Sequence, residues 1–177
     1  ELVVKNEKDV PFYAENSAAL IKYGRFFDGA RIGIALYGVN PVPGDKTPLL
    51  PVMTFRAAVI AINTVKKGDF IGYSRGYRAK KDMRVAIIST GYADGLPRAL
   101  SNKGMIFCNG QFLKIVGKVS MDSVAVDAGD ADVKIMDEVV VFGDEITVTD
   151  VANRADTLPY EILTGVSERV KRVYKNP

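Results

Sequence analysis

The 177-residue sequence contains no histidine. Within this chain, that excludes a Ser-His-Asp or Cys-His catalytic arrangement and any zinc or haem site built on imidazole. Its one cysteine, Cys108, cannot form an internal disulfide and fits a reducing compartment, so the expected location is cytoplasmic. No uninterrupted apolar stretch approaches the ~18 residues of a membrane helix. The start, Glu1 to Asp9, has none of the apolar core of a signal peptide. An excess of either charge is lacking too: 24 Lys and Arg against 21 Asp and Glu leave +3. That small, scattered excess gives no electrostatic footprint for nucleic acid or an anionic membrane. What remains is 47% hydrophobic and 25% charged, the composition of a globular chain rather than a disordered, collagenous or coiled-coil one. A chain of about 150 residues hides roughly 70% of its extended surface on folding, enough for a real core. Such a length holds one ordinary domain, or one small domain plus part of another. A first residue of Glu1 rather than Met suggests a stretch cut from something longer.

The organisation changes after residue 47. In residues 1–47, Asn16 and Ser17 can cap a helix through Ala18–Ile21 that Tyr23-Gly24 stops. The unbroken apolar run Ile32–Tyr37 suits a strand buried on both faces, as in a parallel sheet or barrel. The connector Asn40-Pro41-Val42-Pro43-Gly44-Asp45 marks the boundary. Two such units cannot close a barrel alone, so their neighbours must come from elsewhere. Residues 48–177 read as mostly β, with strands expected at Met53–Thr64, Asp69–Arg78, Arg84–Thr90, Gly104–Cys108, Phe112–Val119, Ser123–Asp127 and Glu138–Phe142. Asn109-Gly110 between apolar runs signals a tight hairpin, because both residues tolerate positive φ. Thr149-Asp150 can cap a short helix at Val151–Ala155, Pro159 can open another, and Arg169–Tyr174 alternates as a closing strand would. The expected fold is mainly β: a compact barrel-like domain preceded by the last β/α units of an α/β barrel.

Taken singly, the motifs are weak. Gly91-Tyr92-Ala93-Asp94-Gly95 reads as a glycine-flanked turn, Asn16-Ser17 as a helix cap, Arg31-Ile32-Gly33-Ile34 as a strand, and Met121 as core. In this order they are specific. Together with Tyr73–Ala79, Gly117–Asp122 and Pro159-Tyr160-Glu161-Ile162-Leu163 running to Ser167-Glu168-Arg169-Val170, they resemble the C-terminal half of alanine racemase. That family uses pyridoxal 5'-phosphate on an eight-stranded α/β barrel followed by a mostly β domain.

The resemblance implies an amino-acid racemase that interconverts L- and D-alanine for cell-wall precursors. Residues 1–47 would be the end of the barrel and residues 48–177 the β domain. It implies that Ser17 and the backbone of Gly33-Ile34 hold the cofactor phosphate, which a hydroxyl and a glycine allowing close approach suit chemically. Tyr160 would also reach that phosphate and narrow the pocket. Arg31 would face the pyridine nitrogen and, unable to give up its proton, keep that nitrogen unprotonated. Tyr92 would be the acid/base on one face of the substrate, offered to the partner subunit of a homodimer, with Met121 and Asp122 near the substrate carboxylate. Two departures stand out. Tyr13 occupies the place of a family histidine that supports the arginine, and no lysine here matches the context of the cofactor-binding lysine, which belongs to the barrel's first strand. The chain alone is therefore expected to be inactive. A racemase of serine, or a non-catalytic β-barrel binding module for residues 48–177, are the alternatives. The scattered acidic residues Asp69, Asp82, Asp94, Asp122 and Asp127 weigh against an oligonucleotide-binding face.

Overall fold

The computed structural model describes residues 11–175. The chain forms two compact units that divide between Val52 and Met53.

In the first unit, β1 (Glu15–Asn16) leads directly into α1 (Ser17–Tyr23). The Asn16 side chain accepts from the Ala19 N–H at 2.9 Å and caps the helix. Gly24, at φ +76, ends the helix by donating its N–H to the Leu20 carbonyl. β2 (Ala30–Arg31) pairs parallel to β1, with Arg31 opposite Asn16. The run Ile32–Tyr37 is not a strand. Gly33 turns the chain at φ −115 and ψ −92, and Ile34–Tyr37 forms a 3₁₀ helix. Only Ile34 of that helix is buried, while Leu36 and Tyr37 face outward. Apolar character without two buried faces does not make an interior strand.

The second unit is a closed barrel of six antiparallel strands. They are β3 (Phe55–Val65), β6 (Met83–Ile88), β7 (Met105–Cys108), β8 (Gln111–Ile115), β9 (Val124–Asp127) and β10 (Glu138–Phe142), joined round the barrel in the order β10-β3-β6-β9-β8-β7. Alternate residues of β7 and β9 point inward, so Ile106, Cys108, Val124 and Val126 are buried, as are Val59, Ile88, Ile115 and Val139 on the other strands. Register shifts lie on both sides of the long β3, against β6 between Val59 and Ala61 and against β10 between Val140 and Phe142. Such bulges bend a strand enough to close a small barrel. Where β3 and β10 meet, Phe55 and Phe142 pack edge to face with centroids 5.7 Å apart. Asn109 and Gly110, at φ +47 and +80, make the tight β7–β8 turn that the dipeptide predicts.

The remaining differences from the expected strands have local causes. Asp69–Arg78 is split into β4 (Phe70–Ile71) and β5 (Tyr77–Arg78), because Gly72, Ser74 and Arg75 all take positive φ between them. The strand expected at Phe112–Val119 stops at Ile115, before Gly117 at φ +86. Arg169–Tyr174 forms no strand: Val173 and Tyr174 are exposed, so the alternation lacks a face to bury.

Helix α2 (Val148–Ala155) is capped by Thr147, not by Thr149-Asp150. The Thr147 hydroxyl accepts from the Asp150 N–H and the Asp150 carboxylate accepts from the Thr147 N–H, each at 3.1 Å, forming a reciprocal box. Thr147→Ala removes half of that box and is expected to lower stability by about 1 kcal/mol. Urea denaturation with an unchanged slope checks this; an unchanged midpoint would contradict it. Pro159 opens α3 (Pro159–Gly165) at its first turn.

Candidate active site

Of the residues singled out in the sequence, Ser17, Arg31, Gly33 and Ile34 lie together in the first unit. Ser17 is buried at the start of α1, and its Oγ accepts from the Gly33 N–H at 3.0 Å and, more distantly, from the Ala35 N–H at 3.5 Å. With both lone pairs engaged, the hydroxyl keeps its proton to donate. The space that a Cβ would take at Gly33 is open within its surroundings. Arg31 is exposed beside it on β2. A hydroxyl with a proton to donate, an uncluttered glycine and an exposed cation suit an anionic group such as a phosphate ester. Tyr13 sets its ring against Gly29, where a Cβ would lie 2.3 Å from the ring.

In the second unit, Tyr92, Met121 and Asp122 come together where two turns dock. The Tyr92 N–H donates to the Ser120 carbonyl and the Ala93 N–H to the Met121 carbonyl, both at 3.0 Å. Gly91 permits this approach, since a Cβ there would lie 2.3 Å from both carbonyl oxygens. The Asp94 carboxylate closes the first turn by accepting the Gly91 N–H at 2.9 Å. Tyr92 is 49% exposed. Asp122 is held by Arg169 at 2.6 Å, and this bond pushes the guanidinium's pKa above its ordinary value. Tyr160 lies on α3, half-exposed, its carbonyl accepting from the Thr164 hydroxyl. Cys108 is buried on β7, and burial followed by the charge of Asp137 raises its thiol pKa, which makes it a poor nucleophile. Among the described residues, no group of acidic, cysteine or histidine side chains could hold a metal ion, and no helix is long and apolar enough to cross a membrane.

Residues 52–174 match the family model for the alanine racemase C-terminal domain. The chain belongs to this family. It is 39% identical over 177 residues to an alanine racemase of Halothermothrix orenii, an alignment covering 95% of this chain and 47% of that protein. An alanine racemase of Aquifex aeolicus is 35% identical over 173 residues, covering 98% of this chain and 51% of that protein. Among crystal structures, the alanine racemase of Bartonella henselae with covalently bound pyridoxal phosphate superposes with a TM-score of 0.88 at 39% identity, over 93% of this chain and 47% of that one. The biosynthetic alanine racemase of Pseudomonas aeruginosa gives 0.86 at 34% identity, over 92% and 47%. The chain thus spans about half the length of the curated relatives it matches.

The six-stranded barrel of the second unit lies within the matched residues, so the mainly β fold expected from the sequence is the fold of this family's domain. Sequence reasoning gave no role to Arg169 or to the Asp94 side chain. Arg169 reaches Asp122 across 47 residues of sequence, and no periodicity or spacing marks a contact between two irregular segments that far apart.

Proposed function

We propose that this chain is the C-terminal part of a pyridoxal-phosphate-dependent alanine racemase, in which residues 1–47 end the cofactor-binding barrel and Tyr92 carries a proton on one face of the substrate. The docking of the Tyr92 turn against Ser120-Met121 supports this reading, because it brings a turn bearing an exposed tyrosine against the segment expected at the substrate carboxylate. Bound pyridoxal phosphate would supply the electron withdrawal that makes the α-proton of an amino acid removable.

The chain's own residues divide the remaining work. The Ser17 hydroxyl would donate to the phosphate, with Gly33 and Ile34 giving it close backbone approach, and Tyr160 would, by the family resemblance, add a second hydroxyl. Arg31 would offer the ring nitrogen a group that stays protonated. The Tyr92 phenol exchanges a proton with the α-carbon from one side, while Met121 and Asp122 bound the carboxylate end of the substrate. Racemisation needs a second acid/base on the opposite face, and no lysine in this chain has the sequence context expected of it. On this reading the residues act within a longer protein and a homodimer, each subunit lending its Tyr92 turn to the other. The expected result is D-alanine formed from L-alanine by protein in which this domain is joined to its barrel, with no turnover by the 177 residues alone. Chiral chromatography of the product decides it, and turnover by the isolated chain would contradict the assignment of the second base.

A further inference from the structure

We propose that Arg169 is a positioning residue that clasps the Tyr92 turn to the Met121-Asp122 turn and occupies the negative charge of Asp122. The effect of that charge on the substrate rests on the racemase reading; the clasp itself does not. One guanidinium stands between two carboxylates on different turns, its Nη2 2.6 Å from Asp122 Oδ1 and its Nε 3.6 Å from Asp94 Oδ1. Asp94 is the inward member of the pair, its side chain 16% exposed. Its other oxygen accepts the Gly91 N–H, and its carbonyl accepts the Ser167 N–H at 3.2 Å. Asp94 therefore ties the turn of Tyr92 to the segment that bears Arg169, and Arg169 carries the tie on to Asp122. Without the cation, two carboxylates would face each other across the docked turns and repel.

The Arg169 side chain is 52% exposed and that of Asp122 61%, and ion pairs so open to water add little to global stability. The clasp is thus expected to act locally, on the placement of Tyr92, rather than on the barrel. Its chemistry calls for arginine, since a planar fork can meet two acceptors where the point charge of lysine favours one. It also resolves a conflict in the site. An aspartate beside a substrate carboxylate would repel it, and a carboxylate already paired with guanidinium repels it far less.

The test combines amide hydrogen exchange on the full chain with kinetics of the racemase that contains it. In Arg169→Met, the Gly91, Tyr92 and Ala93 amides are expected to exchange about tenfold faster or more, with Ala86 and Val126 in the barrel unchanged. Arg169→Lys is expected to recover only part of that protection. In the enzyme, Arg169→Met is expected to raise KM for alanine about tenfold. Adding Asp122→Asn should restore KM without restoring amide protection, because it removes the exposed charge but not the loosened turn. Unchanged protection at Tyr92 and Ala93, or a loss shared equally by Ala86 and Val126, would overturn the clasp. A KM that Asp122→Asn fails to restore would overturn the charge argument. Should the wild-type protein racemise nothing, the racemase reading falls, and the exchange data still decide whether Arg169 holds the two turns together.

Discussion

Tyr92→Phe in the racemase that carries this domain is expected to slow racemisation by about 10²–10⁴-fold, the usual cost of removing a positioned acid/base. The change deletes one oxygen and leaves the aromatic ring. The ring is half-exposed, so no cavity opens in the core. The turn is held through backbone bonds, from Tyr92 and Ala93 to Ser120 and Met121, that phenylalanine keeps. Stability is therefore expected to stay within about 0.5 kcal/mol of wild type. Cofactor affinity should also hold, because Ser17, Arg31 and Tyr160 are untouched. Steady-state rates together with a thermal melt separate the outcomes. A lost rate with an unchanged melt is expected, and a lowered melting temperature would assign Tyr92 to folding.

Gly91→Ala should damage both the fold and the site. The added methyl would sit 2.3 Å from the carbonyl oxygens of Ser120 and Met121, well inside the 3.0 Å that real contacts keep. Those are backbone atoms and cannot swing aside as a flexible side chain would. The two turns must separate, lengthening the hydrogen bonds from Tyr92 and Ala93. Overpacking of this kind costs about 1–3 kcal/mol. The same shift moves the phenol, and a displacement of about 1 Å at a reacting group can cost about 10²-fold in rate. Urea denaturation and activity should therefore fall together in this variant, whereas Tyr92→Phe loses activity alone. A Gly91→Ala protein with wild-type stability would mean that the turns do not dock as closely as described.

Local signals were legible wherever one short segment decides the outcome. Asn109-Gly110 announced its hairpin because the two residues that must take positive φ are adjacent and tolerate it. The strand expected at Ser123–Asp127 was equally legible, and it forms at Val124–Asp127 with alternate residues buried. Errors arose where burial depends on distant partners. Ile32–Tyr37 looked like an interior strand by composition, yet Gly33 breaks it and only Ile34 of the following helix is buried. Arg169–Tyr174 alternates without a sheet edge to join. The cap of α2 was misplaced by two residues because Thr147 and Thr149 are chemically alike, and only the pairing of Thr147 with Asp150 distinguishes them. Closure of the barrel through Val140 opposite Phe107 could not be read from either strand alone.

The candidate site followed the same division. Gly91–Gly95 was visible as a glycine-flanked turn and Gly117–Asp122 as a strand and turn, and the order of all the motifs carried the resemblance. That these two segments dock through Tyr92 and Ala93, and that the Arg169 guanidinium reaches Asp122, are facts of tertiary structure. The meaning of Gly91 likewise lies outside its own sequence neighbourhood, in the carbonyls of Ser120 and Met121.

The central claim is that Tyr92 moves a proton on one face of alanine, and exchange of the α-hydrogen followed separately from each enantiomer tests it most directly. In deuterated buffer, the Tyr92→Phe enzyme should exchange one enantiomer within about tenfold of the wild-type rate, through the base that remains on the opposite face. Exchange from the other enantiomer should fall by about 10²–10⁴-fold. If both enantiomers instead exchange at near wild-type rates, Tyr92 is a structural turn residue and the proton is carried elsewhere.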